Sequence, residues 1–438
     1  LDTTFKIMDM TLKNGRPSST DHGGSVLMGG YYENNTSHGH GPLFQNIIFE
    51  GNQTKYDGIG SDVDGGAVFG ERGSTPYFRD VTFINNHTNR RGGAVYLSEA
   101  GRNTPIVFER NTFIKNHGTS NRENLEPLGG AVYLEYSYKT IFESNVFDSN
   151  YVAINGGCCS NRGGAINIRR GQDSLIVRNS KFRGNSVFTP PGNDSGQATG
   201  GAISFEDNRA HIMIYSSLFH GNSVQAGVKN YDGGPDGKYS RGGAMWIGNN
   251  SIWNESKEKW EYPQVVNIFN NTFVNNAATV TPDNDNRGYG GAIVSQDGGI
   301  FRIFNNIFFG NTAEKSNPGD ISPDFSIWNS SDELEWQMGF NNTQYNEWAN
   351  GRGSNNINRD PKFVLDGSDD QYALSDKSFL IGAGTLSYEG QAAPSLDILG
   401  NPRPTKDPDR PDLGAYENAN INPPYPDKVA GLVADPAD

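Results

Sequence analysis

The sequence predicts an all-β fold, a right-handed parallel β-helix solenoid of about eight coils, and two repeated motifs and the composition point to it. A Gly-Gly-Ala/Ser motif followed by an apolar residue occurs eight times in 438 residues, and a Phe-x-x-Asn motif follows each copy. The glycine pairs begin at Gly23, Gly65, Gly92, Gly129, Gly163, Gly200, Gly242 and Gly290, and the phenylalanines are Phe49, Phe83, Phe113, Phe147, Phe182, Phe219, Phe273 and Phe308. Only 34% of the residues are apolar and 55 are glycine, which suits a thin core shared by stacked coils.

Each repeat unit contains three short apolar stretches, which we interpret as three strands. After the glycine pair, Val95 and Leu97 should point to one side of the strand and Tyr96 to the other, because side chains alternate along a strand. The stretches at 106–108 and around Phe113 supply the second and third strands. Stacking such units at about 4.8 Å gives one coil of a parallel β-helix per repeat.

The repeated glycines and asparagines suit the turns between these strands. Glycine allows a tight turn or a close backbone approach where a Cβ atom would clash, and asparagine tolerates the left-handed bends between strands. Stacked from coil to coil, the phenylalanines and asparagines should form continuous ladders, and we expect Phe147 to be buried.

The loops of variable length lie mainly at one corner of the repeat. The interval from the glycine pair to the next repeated phenylalanine is 18 to 21 residues in six of eight units, with a long insert at 249–262 in the seventh. The interval back to the next glycine pair varies from 9 to 23 residues. Insertions confined to one edge of a solenoid usually wall its binding face.

Aligning the repeats on the glycine pair identifies an outward-facing column with four large aromatic residues. Phe69, Tyr96 and Tyr133 should lie on consecutive coils as a solvent-side stripe, and Trp246 lies further along the same column. Flat rings in a line suit the apolar faces of sugars. Two interpretations remain open: a platform for a glycan, or a stack that the corner loops merely cover.

Two residues further along the same strands, Glu135, Arg169 and Glu206 should follow one another on successive coils. They are the candidate catalytic residues, although none is assigned outright. The carboxyl groups of two glutamates two coils apart could match the pair of an inverting glycosidase, and Arg169 or Arg170 could act as the base of a lyase. The alternative is a surface ion-pair ladder. An arginine between two glutamates favours their ionised forms, so we expect an exposed ladder and no hydrolase or lyase activity.

Other features bear on partners and cofactors. The net charge of −14 and the absence of a long apolar run argue against nucleic acid and membrane insertion. We expect no cofactor and no metal, except that the acidic loops at 232–236 and 283–285 could bind calcium or be solvated turns. Cys158 and Cys159, the only cysteines, could form a strained vicinal disulfide or remain free.

The paired motifs resemble the passenger domains of chlamydial polymorphic outer-membrane proteins, and they are similar to the pectate-lyase-like β-helix proteins. A further stretch resembles the choice-of-anchor Q module that closes many such proteins, and its motifs are Asp360-Pro361-Lys362-Phe363, Ser378 to Gly384, Asp397 to Arg403 and Asp412 to Glu417. The resemblance implies a protein of the cell surface or exterior of a bacterium. It leaves the activity open, because adhesins, binding modules and polysaccharide-cleaving enzymes share such folds.

The sequence therefore predicts three regions: β-helix repeats over 1–354, a C-terminal closing module over 355–418, and a Pro-rich linker over 419–438. The last region also resembles the start of a fibronectin type III domain, so we expect a part of a larger multidomain surface protein. The leading hypothesis is a surface-displayed binding or adhesive protein that contacts a polysaccharide or cell-surface glycan on the strands after the glycine pairs. The alternatives are a polysaccharide lyase or glycoside hydrolase, and a structural stalk or surface-layer component.

Overall fold

The computed structural model describes residues 5–17, 21–29, 31–33, 36–38, 41–54, 63–120, 126–154, 161–189, 197–227, 239–248, 252–254, 259–261, 264–280, 287–296, 298–314, 323–328, 334–405 and 410–420. These residues form long parallel sheets and one short helix, which confirms the predicted right-handed parallel β-helix.

Four parallel sheets run along the solenoid in the described part of the chain. The long sheet has two columns of strands. Its first two strands are long enough to span both columns, and the later strands belong to one column or the other. In chain order the strands are Lys6–Lys13, Leu43–Glu50, Tyr77–Arg79, Thr82–Ile84, Ile106–Glu109, Thr112–Ile114, Lys139–Glu143, Val146–Asp148, Ser174–Arg178, Lys181–Arg183, His211–Tyr215, Leu218–His220, Val265–Phe269, Thr272–Val274, Gly299–Phe304, Ile307–Phe309, Leu334–Gly339 and Gly353–Ser354. The glycine-pair sheet contains the strands that follow the glycine pairs, and a ninth strand: Val26–Met28, Val68–Gly70, Val95–Ser98, Val132–Glu135, Ile166–Arg169, Ile203–Glu206, Met245–Gly248, Ile293–Gln296 and Phe325–Trp328.

The two other parallel sheets lie between the repeated Phe-x-x-Asn motif and the next glycine pair. One contains His87–Thr88, His117–Ser120, Tyr151–Ile154, Ser186–Phe188, Ser223–Ala226, Ala277–Val280 and Thr312–Ala313. The corner sheet contains Asn161–Arg162, Ala198–Thr199, Tyr239–Arg241 and Arg287–Tyr289. Three antiparallel hairpins pair Tyr31–Glu33 with Thr36–His38, Ile252–Asn254 with Lys259–Glu261, and Ser387–Tyr388 with Gln391–Ala392.

Alternation along the strands fills the interior with a stack of phenylalanines. Val95 and Leu97 point into the core and Tyr96 points out of it, as expected. The ring of Phe147 is fully buried and lies 4.6 Å from the Phe113 ring and 4.8 Å from the Phe182 ring, nearly parallel to both. All eight repeated phenylalanines belong to this inner stack, so the predicted core ladder is confirmed.

The asparagines of the Phe-x-x-Asn motif form a second, polar ladder beside the phenylalanines. The Asn150 amide donates to Asn185 Oδ1 and to the Phe113 carbonyl, both at 3.0 Å, and its own Oδ1 accepts from the Asn116 backbone and side chain. The pattern repeats from Asn52 through Asn311, and the last amide donates to Asp324 Oδ1 at 2.9 Å. The ladder thus satisfies a buried polar group in every coil.

The glycine pair is required by the backbone at the corner. Gly92 has φ of +67°, in the left-handed region that side-chain-bearing residues avoid. A Cβ atom on the following Gly93 would lie 1.9 Å from the Gly130 carbonyl oxygen of the next coil, which leaves no room for any side chain. One glycine therefore makes the turn and the other lets two coils approach each other.

The C-terminal end of the core is closed by aromatic residues and the short helix α1, Asn346–Asn350. The ninth coil carries Phe325 on its Phe325–Trp328 strand, and this ring faces Trp336 and, in a stacked arrangement, Trp348 of α1. Ala349 is fully buried against the same core. The ninth coil has no glycine pair, and for this reason the repeat pattern does not predict it.

Asn356 and Ile357 extend the last coil, most of the segment 355–418 lies along the side of the last coils, and α1 packs against the end of the core. Ile398 and Tyr416 pack on the outward side chains of Leu218 and Val274. The Ala415 N–H donates to Thr272 Oγ1 at 2.9 Å, which ties the segment to the long sheet. The last three of the four sequence motifs meet here in a network of partly buried hydrogen bonds whose members are Gly382, Asp397, Asn401, Arg403, Asp412, Glu417 and Asn418.

Candidate functional site

The aromatic column lies on neighbouring parallel strands, outside the main core. Phe69 pairs with Tyr96, and Tyr96 with Tyr133, and their stacked rings are 4.9 Å and 5.4 Å apart. The expectation that they form a solvent-side stripe is wrong, because Phe69 is 4%, Tyr96 7% and Tyr133 0% exposed. Trp246, at 1%, is equally buried.

Side chains from the corner cover this column. The His22 ring stacks on Phe69 at 4.1 Å, Leu128 packs in the same cluster, and the Arg91 guanidinium lies 5.3 Å from the centre of the Tyr133 ring. The Tyr96 hydroxyl donates to Glu135 Oε2 at 3.2 Å. The arrangement matches the covered stack, the alternative to the open sugar platform.

Glu135, Arg169 and Glu206 do lie on successive strands, as their column predicts. They are not an exposed acid–base–acid ladder, because Glu206 is only 4% exposed and its ion pair with Arg169 is 3.7 Å long. The shorter contact of Glu206 is with Arg162, at 2.9 Å. Glu135 pairs instead with Arg91 at 3.5 Å and Arg170 at 3.9 Å.

Arg91 and Arg162 stand just before a glycine pair, a position outside the two columns that the sequence alignment predicts as the site. Arg91, Arg162 and Arg241 occupy it in every second coil. Each reaches a side chain of the coil that follows: Arg91 contacts Glu135, Arg162 contacts Glu206, and Arg241 donates to Gln296 Oε1 at 3.0 Å. The charged side chains therefore alternate with a period of two coils.

Burial determines the chemistry of Glu206. Desolvation raises the pKa of its carboxyl group, and the nearby Arg162 and Arg169 guanidinium groups oppose that rise. A raised pKa is what a general acid needs, but a polymeric substrate must also reach the carboxyl group. With 5% of its side chain exposed, Glu206 offers no surface to a polysaccharide chain.

A second site, which we call the Tyr215 groove, lies between the outer face of the long sheet and the C-terminal segment. It has a volume of about 390 Å3 and is lined by Glu143, Arg178, Asn179, Met213, Tyr215, Phe269, Gln391, Ala392, Pro394, Ser395 and Leu396. The Tyr215 ring is partly exposed and stacks at 5.0 Å on Phe269, which fixes its orientation. Arg178 donates to the Tyr215 hydroxyl at 3.1 Å and to Glu143 Oε2 at 2.7 Å.

Sequence reasoning missed this groove. Tyr215, Phe269 and Phe304 form an outward aromatic column on the long sheet, and an alignment on the second strand of the repeat would have shown it. The opposite wall, at 391–396, comes from about 180 residues further along the chain, where no repeat exists. Its position is fixed by a hydrogen bond from Ser216 Oγ to the Leu396 carbonyl at 3.1 Å.

The remaining candidates concern metals, cysteines and the membrane. Within the described residues, no group of three or more His, Cys, Asp or Glu side chains could hold a metal ion. The acidic loops at 232–236 and 283–285, and Cys158 and Cys159, lie outside the described residues. No helix in the described part of the chain has the length and apolar character to cross a membrane.

Comparison with known proteins found one similarity. Residues 80–98, which contain one Phe-x-x-Asn motif and the next glycine pair, match the Chlamydia polymorphic membrane protein repeat. The comparisons with curated proteins and with solved structures found no match. The chain is thus similar to this repeat over 19 residues, and the resemblance of 360–417 to a choice-of-anchor Q module stays a prediction.

Proposed function

We propose that the chain is a surface-displayed binding protein that holds a glycan in the Tyr215 groove. The observation that carries the proposal is the groove itself: a partly exposed aromatic ring beside a guanidinium–carboxylate pair, in a cleft of about 390 Å3. The glycine-pair sheet cannot offer an open aromatic platform, because its rings are buried.

The Tyr215 ring supplies the apolar contact that sugar faces require. One face of the ring stacks on Phe269, and Phe269 stacks in turn on Phe304 at 5.0 Å, so the orientation of the Tyr215 ring is fixed. A ring that is already ordered loses little conformational entropy on binding. Met213, on the same strand, is also partly exposed and extends the apolar floor.

The polar groups around the ring suit sugar hydroxyls. Glu143 and Arg178 are 32% and 35% exposed at their side chains, so each keeps hydrogen-bonding capacity beyond their mutual contact. The Gln391 side chain is partly exposed on the opposite wall. Carboxylate, guanidinium and amide groups at the rim of an apolar floor are the mixture that orients a ligand in a pocket.

Display at a cell surface is supported by the repeat. The match of residues 80–98 is to a repeat described for a membrane protein of Chlamydia, and a rigid solenoid is a suitable stalk for presenting a lateral groove. An acidic chain with a net charge of −14 is compatible with an exterior location.

The test is binding of the full chain to a panel of acidic and neutral polysaccharides, with released chain ends measured in parallel. We expect at least one polysaccharide to bind, with no release of ends, and Tyr215→Ala to weaken that binding at least tenfold. Tyr138→Ala is the matched control, since Tyr138 is also partly exposed and also receives a hydrogen bond from an arginine, Arg102, outside the groove.

Equal binding by wild type and Tyr215→Ala would refute the groove as the glycan site. Release of ends that disappears in Glu135→Gln or Glu206→Gln would favour the lyase or hydrolase alternative instead.

A further inference from the structure

The outer face of the long sheet carries a line of apolar side chains that leads into the Tyr215 groove, and we call it the Ile176 stripe. Its members occupy the same position on five successive strands, and they are Tyr77, Val107, Ile141, Ile176 and Met213. The residue that follows each of them along its strand belongs to the core, so the five side chains point outward. All except Val107 are partly exposed. The stripe is therefore an apolar surface on which a ligand can lie.

The stripe ends where the groove begins. Met213 lines the groove together with Tyr215, two residues further along the same strand. The positions that continue the column on the next three strands are polar, and they are Asn267, Arg302 and Gln337. The groove and the stripe thus form one continuous surface, which runs from Met213 toward the N-terminal coils.

On the other side of the groove, the C-terminal segment covers the outer face of the sheet. The aromatic column of the groove continues on successive strands through Tyr215, Phe269, Phe304 and Gly339. The Tyr388 ring contacts Phe304, with the ring centres 5.8 Å apart, and leaves no room for a Cβ atom on Gly339. Phe304 is fully buried as a result. A long ligand in the groove therefore extends over the stripe, away from this cover.

Two hydrogen bonds fix the cover to the sheet. The Asn305 side chain donates to the Thr385 carbonyl at 2.7 Å and accepts from the Thr385 N–H at 2.9 Å. Tyr388 follows three residues later and pairs with Gln391 of the groove wall in a hairpin. The closed end of the groove is thus held by the same segment that forms its wall.

The charged side chains beside the stripe neutralise one another. Arg79 pairs with Glu109 at 3.1 Å, and Arg178 pairs with Glu143 at 2.7 Å. A polyuronate carries a negative charge on each sugar and would require an excess of cations along its path. A surface with paired charges suits a neutral polymer instead, because sugar hydroxyls accept from guanidinium groups and donate to carboxylates.

The spacing of the stripe also suits a polysaccharide. Its members are one strand spacing apart, about 4.8 Å, which is close to the advance per sugar of an extended chain of pyranose rings. We propose that the Tyr215 groove binds the end of a linear neutral polysaccharide, and that the following sugars lie along the Ile176 stripe, about one for each coil. The proposal rests on the proposed function, since it takes the groove to be a glycan site.

The first test is the dependence of affinity on ligand length. Isothermal titration calorimetry measures binding of the full chain to β-1,4-linked oligosaccharides of glucose, xylose and mannose, from the disaccharide to the octasaccharide. We expect the affinity for at least one series to rise at least tenfold from the disaccharide to the hexasaccharide and then to level off. An affinity that does not rise beyond the disaccharide would overturn the role of the stripe and leave the groove as a glycan site.

Substitutions separate the stripe from the groove. Ile176→Ser should weaken hexasaccharide binding at least fivefold and leave disaccharide binding unchanged, whereas Tyr215→Ala should weaken both. Ile114→Ser is the matched control, because Ile114 is also a partly exposed isoleucine of the long sheet but lies in its other column of strands. Circular dichroism checks folding, and Ile176→Ala replaces the serine variant if that variant misfolds. Equal hexasaccharide binding by the Ile176 and Ile114 variants would overturn the inference, and unchanged binding by Tyr215→Ala would refute the groove itself.

Stoichiometry tests whether the groove holds a chain end. Light scattering of the complex with the long polymer of the series that binds should show a single copy of the protein on each polymer chain. Several copies on each chain would indicate binding along its interior and overturn the proposal. Tighter binding of polygalacturonate than of every neutral polymer would overturn the neutral ligand class. Sensitivity of that binding to Tyr215→Ala would then still support the groove as a glycan site.

Discussion

Two buried asparagines, Asn150 between a strand of the long sheet and the strand that follows it, and Asn167 on the glycine-pair sheet, have opposite surroundings. Asn150, in the inner ladder, uses both amide atoms in four hydrogen bonds of 3.0 Å. Asn167, on the outer face of the glycine-pair sheet, is equally buried and uses neither. Burial alone therefore does not show whether an asparagine is hydrogen-bonded.

The difference lies in repetition. The inner position is asparagine in every repeat. Each side-chain amide therefore hydrogen-bonds to the asparagine at the same position of the next coil, and the ladder supplies its own hydrogen-bond partners. The outer position changes from Tyr133 to Asn167 to Ser204, so no neighbour is complementary to the next. Repeated polar positions therefore satisfy one another and hold the solenoid together, whereas irregular ones do not.

The largest effect should follow from breaking the inner stack. Phe147→Ala removes a fully buried ring that stacks on both neighbours, and the cavity should lower the free energy of unfolding by about 3–5 kcal/mol. Thermal or denaturant unfolding monitored by circular dichroism gives the value. An unchanged transition would mean that the Phe147 ring does not occupy the core.

Substituting alanine for each of the two asparagines tests whether their hydrogen bonding differs as described. Asn150→Ala removes the acceptor of the Asn116 backbone N–H, one of the two hydrogen bonds of the Asn116 side-chain amide, and the amide that donates to the Phe113 carbonyl. These losses should cost about 3 kcal/mol. Asn167→Ala breaks no hydrogen bond of the chain and should change the free energy of unfolding by less than about 1 kcal/mol. Urea unfolding of both variants measures the contrast, and equal losses would contradict it.

The end of the inner ladder should make stability depend on pH. Asp324 is fully buried, and desolvation raises the pKa of its carboxyl group from 3.8 to about 6, although Thr343 and Asn311 donate hydrogen bonds to it. The folded state therefore holds the proton more tightly than the unfolded state. Its stabilising contribution is complete below pH 3.8 and is lost as the pH rises through about 6, a change of about 2–3 kcal/mol.

Asp324→Asn removes this titration and lets an amide end the ladder. We expect the variant to gain stability relative to wild type as the pH rises from about 4 to about 7, measured as the difference between their unfolding free energies. A difference that stays constant over this range would show that Asp324 does not titrate in it.

The repeat carries enough information to predict the fold and the core. The glycine pairs and the Phe-x-x-Asn motifs fix strand order, the inward side of each strand and the ladders, because these features depend on contacts between identical positions one coil apart. The repeat does not predict the ninth coil, since no glycine pair precedes its strand Phe325–Trp328.

The sites depend on contacts that no repeat encodes. Column alignment places Phe69, Tyr96 and Tyr133 correctly on neighbouring strands, but their burial results from corner residues such as His22 and Arg91. The Tyr215 groove needs a wall from 391–396 that folds back on the long sheet. Such contacts join parts of the chain with unrelated sequences, and the sequence pattern alone does not reveal them.

The alternation of arginines at the corner limits how many coils such a solenoid can gain or lose at a time. Arg91 and Arg162 each pair with a glutamate one coil ahead, and 71 residues separate Gly92 from Gly163. Loss or duplication of a single coil would leave a buried guanidinium or carboxylate without its counterion, whereas loss or duplication of two adjacent coils restores every pair. The unit by which this solenoid can grow or shrink is therefore the coil pair, twice the length of its visible repeat.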